Sequence, residues 1–361
     1  MTKVKVLAAV LAVTICGSLV VVQALDTQAT KPPPSKKASA GKASVAARAS
    51  GTQRGPQVKV DSKLAKYVHA DGVSGAIKSE GSDTMNKLMQ FWTESFQRYY
   101  PNVQVEVQGK GSATAPTALI AGTSNFGPMS REMKSKEIDE FEARFGYKPT
   151  GLKTGIDMLA VYVHKDNPIK GLTLPQVDAI FSKNRKGGYE KDIRTWGDLG
   201  LKGQWANKPI SLYGRNSASG TYGYFKENAL FDGDFKDSVQ ERPGSSAVVQ
   251  GVARNKFAIG YSGIGYITAD VRAVPLARNE GEDFVPAEAD YAYSGEYPLS
   301  RFLFLYVNHE PRSELEPLRR EFITYIFSRE GQEDVVKDGY LPVGAKTAFD
   351  ALSSVGITVA Q

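Results

Sequence analysis

The sequence predicts an α/β fold built on a parallel sheet. Strand-like and helix-like segments alternate along the chain, the pattern that stacks helices on a parallel sheet. Three times a strand candidate runs into a loop of Gly, Ser and Thr that opens a helix: Gly81–Thr84, Gly111–Thr114 and Ser217–Thr221. With 361 residues, 41% of them hydrophobic, the chain is long enough for a leader and two domains with sizeable cores.

The first segment reads as an export signal over residues 1–24. Lys3 and Lys5 form a charged start, an apolar run follows from Val6 to Val22, and Val22-Gln23-Ala24 resembles a small-x-small cleavage site. An uncleaved membrane anchor is the competing reading of the same run. Cys16 is the only cysteine, and Ile15 before it is too large for a lipoprotein anchor, so the exported chain is expected without disulfides. Residues 25–72 read as a disordered, basic Pro/Ala/Ser/Lys linker, with Pro32-Pro33-Pro34 extended. It serves as a spacer, or as a weak contact to anionic envelope surfaces.

The body is expected from near Val73. Gly75–Lys78 is a strand candidate. The helix after Gly81–Thr84 carries Met85, Leu88, Trp92, Phe96 and Tyr99 on one face and stops at Tyr100-Pro101. Val103–Val107 alternates strictly and reads as a strand. A short helix runs through Ala118, Leu119 and Ile120, and Thr123–Gly127 returns as a strand. Met158–Val163 is a buried strand, Leu174–Phe181 a helix, and Ile210–Tyr213 the strand that feeds the third loop. Tyr222–Leu230 and Ser245–Arg254 are helices, the latter with Ser caps. Ala258–Tyr261 and Phe302–Val307 are strands, Glu316–Phe327 is a helix, and Gly331–Val343 a helix end and turn.

Charge narrows the function. The net charge is +6, but residues 1–60 hold nine Lys/Arg against one Asp. The remaining body carries 36 basic and 38 acidic side chains, which argues against a nucleic-acid-binding body. The three loops suit an anion instead. A helix start offers free N–H groups and the positive end of the dipole. Ser, Gly and Thr at such a start, with Arg215 a few residues upstream, make an oxyanion cradle of mostly neutral donors.

Other chemistries find no support in the pattern. Gln104 and Gly111 stand where a P-loop around Gly109-Lys110 needs Gly and Ser/Thr. His69, His164 and His309 are too scattered for a zinc cluster, so no metal or cofactor is expected. No G-x-S-x-G elbow surrounds the loop serines, and a hydroxyl without a base is a ligand donor rather than a nucleophile.

From Gly75 to Val343 the sequence resembles the periplasmic phosphate-binding proteins of ABC-type phosphate transporters. The resemblance rests on the three loops, on Thr123-Ser124-Asn125-Phe126-Gly127-Pro128-Met129-Ser130-Arg131, on Ala258–Tyr261 and on Gly339-Tyr340-Leu341-Pro342. It implies two α/β lobes with the ligand in the cleft between them, lobe I from 73–155 plus 300–361 and lobe II from 156–299, and hinge closure around the ligand. It also implies phosphate donors: Ser82, Thr84 and the Met85 backbone from the first loop, Ser112 from the second, and Arg215, Ser219, Gly220 and Thr221 from the third.

One position departs from the family. Many members carry an aspartate after the serine of the Thr123–Arg131 loop, where it accepts the phosphate's own proton; sulfate at neutral pH has none to give. Here Ser130 is followed by Arg131. Either Asp83 or Asp157 takes over that role, or discrimination weakens. The function expected is therefore an exported, monomeric receptor that captures inorganic phosphate and hands it to a membrane ABC permease. The alternatives are another oxyanion (sulfate, a phosphonate or a polyphosphate), a phosphatase-like enzyme using Ser219 or Ser112, and an envelope interaction protein acting through its basic linker.

Overall fold

A computed structural model describes residues 58–358. The expected leader, and the expected linker up to residue 57, lie outside the described residues. In chain order the elements are β1 (Ala76–Gly81), α1 (Asn86–Gln97), β2 (Gln104–Gly109), α2 (Thr114–Ile120), β3 (Gly127–Met129), α3 (Ser135–Phe145) and β4 (Thr150–His164). Then come β5 (Leu172–Thr173), α4 (Leu174–Phe181), β6 (Ser211–Arg215), α5 (Gly220–Ala229), β7 (Gln240–Arg242), α6 (Ser245–Arg254) and β8 (Ala258–Gly263). The chain closes with β9 (Val271–Ala273), β10 (Leu276–Ala277), α7 (Ala289–Ser294), β11 (Ser300–Val307), α8 (Pro317–Ile326), α9 (Arg329–Lys337) and α10 (Ala345–Ser354).

The helices form where apolar residues recur on one face. On α1, Leu88, Met89, Trp92 and Phe96 are fully buried, each contributing about 1.5–3 kcal/mol by burial. Two large cores result. One gathers Ile77, Trp92, Phe126, Leu152 and residues from Leu303 to Ile357. The other gathers Met158 to Leu299, with Trp196, Phe225 and Tyr261 at its centre. Smaller clusters cover the outer faces of the sheets.

The main sheet, ordered β3-β11-β4-β8-β6-β7 with β9 beside β4, is mixed rather than parallel throughout, and β1–β2 and β5–β10 are separate two-stranded sheets. β1 and β2 pair in parallel, as do β8, β6 and β7. β4 and β11 pair antiparallel to each other, β3 runs antiparallel to β11, and β8 antiparallel to β4. β4 contributes Leu152 to the first core and Met158, Leu159, Val161 and Val163 to the second, so this strand runs from one core to the other. β11 returns beside it, from Leu299 in the second core to Leu303 in the first. A strand buried on both faces reads as one apolar run whichever way its neighbours point, so direction was not legible.

Two other expectations are corrected. The body does not begin near Val73. Leu64 and Tyr67 are buried in the first core. The Tyr67 ring packs 5.0 Å from Tyr99 and 5.2 Å from Tyr325, and its hydroxyl bonds Tyr100 and Glu321. Arg329 donates to the Ser62 carbonyl, and Asp61 accepts from the N–H of Ala345. Residues 58–72 are thus part of the packed body; their two buried apolar residues, Leu64 and Tyr67, are too few to show a period. The strand expected over Thr123–Gly127 begins only at Gly127. Before it, the backbones of Asn125 and Phe126 still bond the β1 edge, and the side chains of Ser124 and Asn125 add further bonds to it.

Asp338 ends α9 almost fully buried, with Lys87 Nζ 2.7 Å from Oδ1. Burial raises its pKa from 3.8 to about 6, against the pull of Lys87. A carboxyl whose folded pKa is raised favours the fold while protonated in both states and loses that support as pH climbs through about 6. Asp338→Asn should therefore flatten the pH dependence of stability between pH 4 and 6 and gain on the order of 3 kcal/mol at neutral pH. Urea unfolding at acid and neutral pH measures it; a larger loss at neutral pH than at acid pH would refute it.

Candidate functional site

The three sequence loops converge on the first turn of α5. Thr84 Oγ1 of the first loop lies 2.8 Å from Thr221 Oγ1 of the third. The N–H of Ala113, in the second loop, donates to Ala218 O at 3.1 Å. Gly111 adopts φ +108°, and a Cβ there would lie 2.6 Å from Ala218 O, so only glycine lets the second and third loops touch. Ser112 Oγ accepts from the Ser130 N–H and lies 3.3 Å from Ser130 Oγ. Both hydroxyls sit against Gly220, where an added Cβ would be 2.3 Å from Ser112 Oγ. Ser219 caps α5, accepting from the N–H groups of Thr221 and Tyr222.

Arg215 ends β6 and is 1% exposed. Its N–H donates to the hydroxyl of Tyr261, whose ring stacks 3.8 Å from Phe225, so the backbone there is fixed from below. Its guanidinium donates to Ser245 Oγ at 2.7 Å and lies 3.3 Å from Asp83 Oδ2. Burial lowers its pKa, with Asp83 opposing the shift. Asp83 does not cap its own helix: α1 has no side-chain cap. It accepts instead from the N–H of Ser245, the first residue of α6. The carboxylate thus meets two positive neighbours, the guanidinium and a helix N-terminus.

Asp157 is fully buried. Arg301 Nε and Nη2 donate to its Oδ2 at 3.1 and 2.7 Å, and the N–H of Ile264 donates to its Oδ1. Arg301 Nη2 also donates to Thr221 Oγ1 at 2.8 Å. Met85 is buried at the start of α1. Tyr266 and Tyr340 hold the first loop from behind, both donating to the Thr84 carbonyl. Among the described residues, Ser82 Oγ, Arg215 Nε and Arg301 Nη1 are buried without a hydrogen-bond partner. Two of the three are donors only, which fits an acceptor-rich anion.

Of the residues singled out by sequence, the structure brings together Ser82, Asp83, Thr84, Met85, Ser112, Ser130, Asp157, Arg215, Ser219, Gly220 and Thr221. Arg131 is committed elsewhere. Its guanidinium makes a two-pronged pair with Glu137 at 2.7 and 2.6 Å and bonds the Glu132 carbonyl. Sequence reasoning missed Arg301, Ser245, Tyr266 and Tyr340. A signal existed for one of them: Arg301 is the single charge in the apolar run of β11. A charge in such a run is costly unless paired.

Comparison with known proteins gives the family. Residues 46–330 match the PBP superfamily domain. A protein of Pseudomonas aeruginosa named phosphate-binding protein PstS is 54% identical over 298 residues, covering 82% of this chain and 92% of the relative. One of Staphylococcus haemolyticus with the same name is 28% identical, covering 78% and 86%. A Clostridium perfringens structure, described as a phosphate ABC transporter substrate-binding protein with bound phosphate, superposes with a TM-score of 0.62 at 27% identity. It covers 74% of this chain and 99% of its own. The chain belongs to the periplasmic-binding-protein superfamily and, within it, to the family of phosphate-binding proteins of ABC transporters.

Proposed function

We propose that the protein is an exported receptor that captures inorganic phosphate between its lobes and delivers it to a membrane ABC permease. The observation that carries this reading is the convergence on α5 of hydroxyls from both lobes beside a buried arginine with an unpartnered Nε. The proposed donors are the hydroxyls of Ser82, Thr84, Ser112, Ser219 and Thr221, N–H groups at Met85 and Gly220, and Arg215. Such a site suits an oxyanion because every group offers a proton and the lobes exclude water, so each bond counts more than in solvent. Ser219 supports binding rather than hydrolysis, since its oxygen accepts two cap hydrogen bonds and no base contacts it. We further propose a monomer that takes no nucleic acid, exported by a leader within its first 24 residues.

The carboxylate that reads the phosphate proton is, on this reading, Asp83. Both oxygens of Asp157 already accept bonds. Asp83 uses Oδ2 for Ser245 and Arg215, which leaves Oδ1 to accept a proton. Calorimetric titration of the ligand-stripped protein should give one-to-one phosphate binding with little response to sulfate. Asp83→Asn should bring the two anions within about tenfold of each other, since an unmatched buried acceptor is worth ~1–3 kcal/mol. No heat with phosphate would end the receptor reading; undiminished selectivity in Asp83→Asn would clear only Asp83.

A further inference from the structure

Asp157 and Arg301 stand directly opposite each other on the two strands that pass between the lobes. A buried ion pair is at best a neutral choice for stability, because desolvation offsets the attraction. The contacts of Arg301 suggest what the pair is for. One nitrogen, Nη2, donates to both Asp157 Oδ2 at 2.7 Å and Thr221 Oγ1 at 2.8 Å. Thr221 in turn shares a hydrogen bond with Thr84 across the lobes.

Proton counting shows what the pair has to spare. Arg301 is always protonated and can only donate. Thr221 must therefore accept from it. The two threonines own two hydroxyl protons, and their mutual bond uses one, whichever donates. The other proton has to go to a third group. Without Arg301, the nearby Asp157 carboxylate would compete for that proton. With Arg301 between them, the carboxylate is already satisfied and turned away.

We propose that Arg301, fixed by Asp157, is a positioning residue. It holds Asp157 satisfied and accepting from Arg301 itself, so that the spare proton of the Thr84–Thr221 pair goes to the bound anion and not to the carboxylate. This rests on the phosphate reading above and adds to it a residue that acts on the anion through the Thr221–Thr84 pair. Donation from the guanidinium polarises the Thr221 hydroxyl and so strengthens the pair as a donor.

The test is a double-mutant cycle on phosphate affinity in the full chain, with Arg301→Gln and Thr84→Val, residues with no hydrogen bond to each other. Thr84→Val should weaken binding about tenfold in the otherwise native protein, one neutral hydrogen bond's worth. In the Arg301→Gln background the same change should cost less than about twofold, because the chain of bonds is already broken. A merely structural role for Arg301 gives additive losses, and additivity in folded variants overturns the proposal. Should Arg301→Gln fail to fold, Arg301→Lys replaces it, since an ammonium keeps the charge beside Asp157 but lacks the fork that spans both partners. Absence of phosphate binding by the native protein would instead overturn the receptor reading.

Discussion

Replacing Arg215 by alanine is expected to lower phosphate affinity by at least tenfold, and toward a hundredfold, in a protein that still folds. Two effects add. A charge-assisted hydrogen bond is worth about 1.5–3 kcal/mol, and an arginine with its Nε unpartnered has at least one to give. Removing the guanidinium also strips Asp83 of its cation, leaving a carboxylate beside the incoming anion. Its remaining bond to the Ser245 N–H and its partial exposure keep the fold from paying the full penalty of a stranded charge. Calorimetry with a melting curve as control measures both. Native affinity in a folded variant would remove Arg215 from the site.

Gly220→Ala should have an equally large effect by a different route. Gly220 is the first residue of α5, where alanine is the better helix former, so the lobe that contains it is not harmed locally. The added methyl would collide with the other lobe, 2.3 Å from Ser112 Oγ, 2.7 Å from Ser130 Oγ and 2.9 Å from Ser112 Cβ. Both serines are fully buried and bonded to each other, so they have little room to yield. Overpacking of this kind costs about 1–3 kcal/mol, and here it falls on closure alone. The expected outcome is an unchanged or slightly higher melting temperature without ligand and about a hundredfold loss of phosphate affinity. Small-angle scattering should show the variant failing to contract on phosphate addition. Contraction and native affinity would mean the lobes do not need this approach.

The local parts of this site were legible because each is written within about ten residues. Arg215 and the Ser219-Gly220-Thr221 turn share one strand–loop–helix unit, and its chemistry follows from residue types and the helix start they cap. The same holds for Gly81–Thr84 and Gly111–Thr114. What could not be read is pairing at long range. Asp83 meets Arg215 and Ser245 from more than 130 residues away, and Asp157 meets Arg301 at a separation of 144. Those contacts depend on strand register, and nothing in a buried apolar run declares its partner. Arg131 misled for the opposite reason: its partner Glu137 is only six residues on, as the capping residue of α3. The short polar stretch from Val58 was misjudged because its hold on the body comes from single side chains, above all Tyr67.

Each arginine of the site comes with its own carboxylate, Arg215 with Asp83 and Arg301 with Asp157. The cradle is therefore close to charge-neutral before any anion arrives, and its grip is short-ranged. Dipoles and hydroxyls hold strongly when dry and touching, and hardly at all across a water layer. A cradle with surplus positive charge would go on attracting its cargo after the lobes parted. This one releases as soon as it is pried open, so a membrane partner need only separate the lobes to empty it.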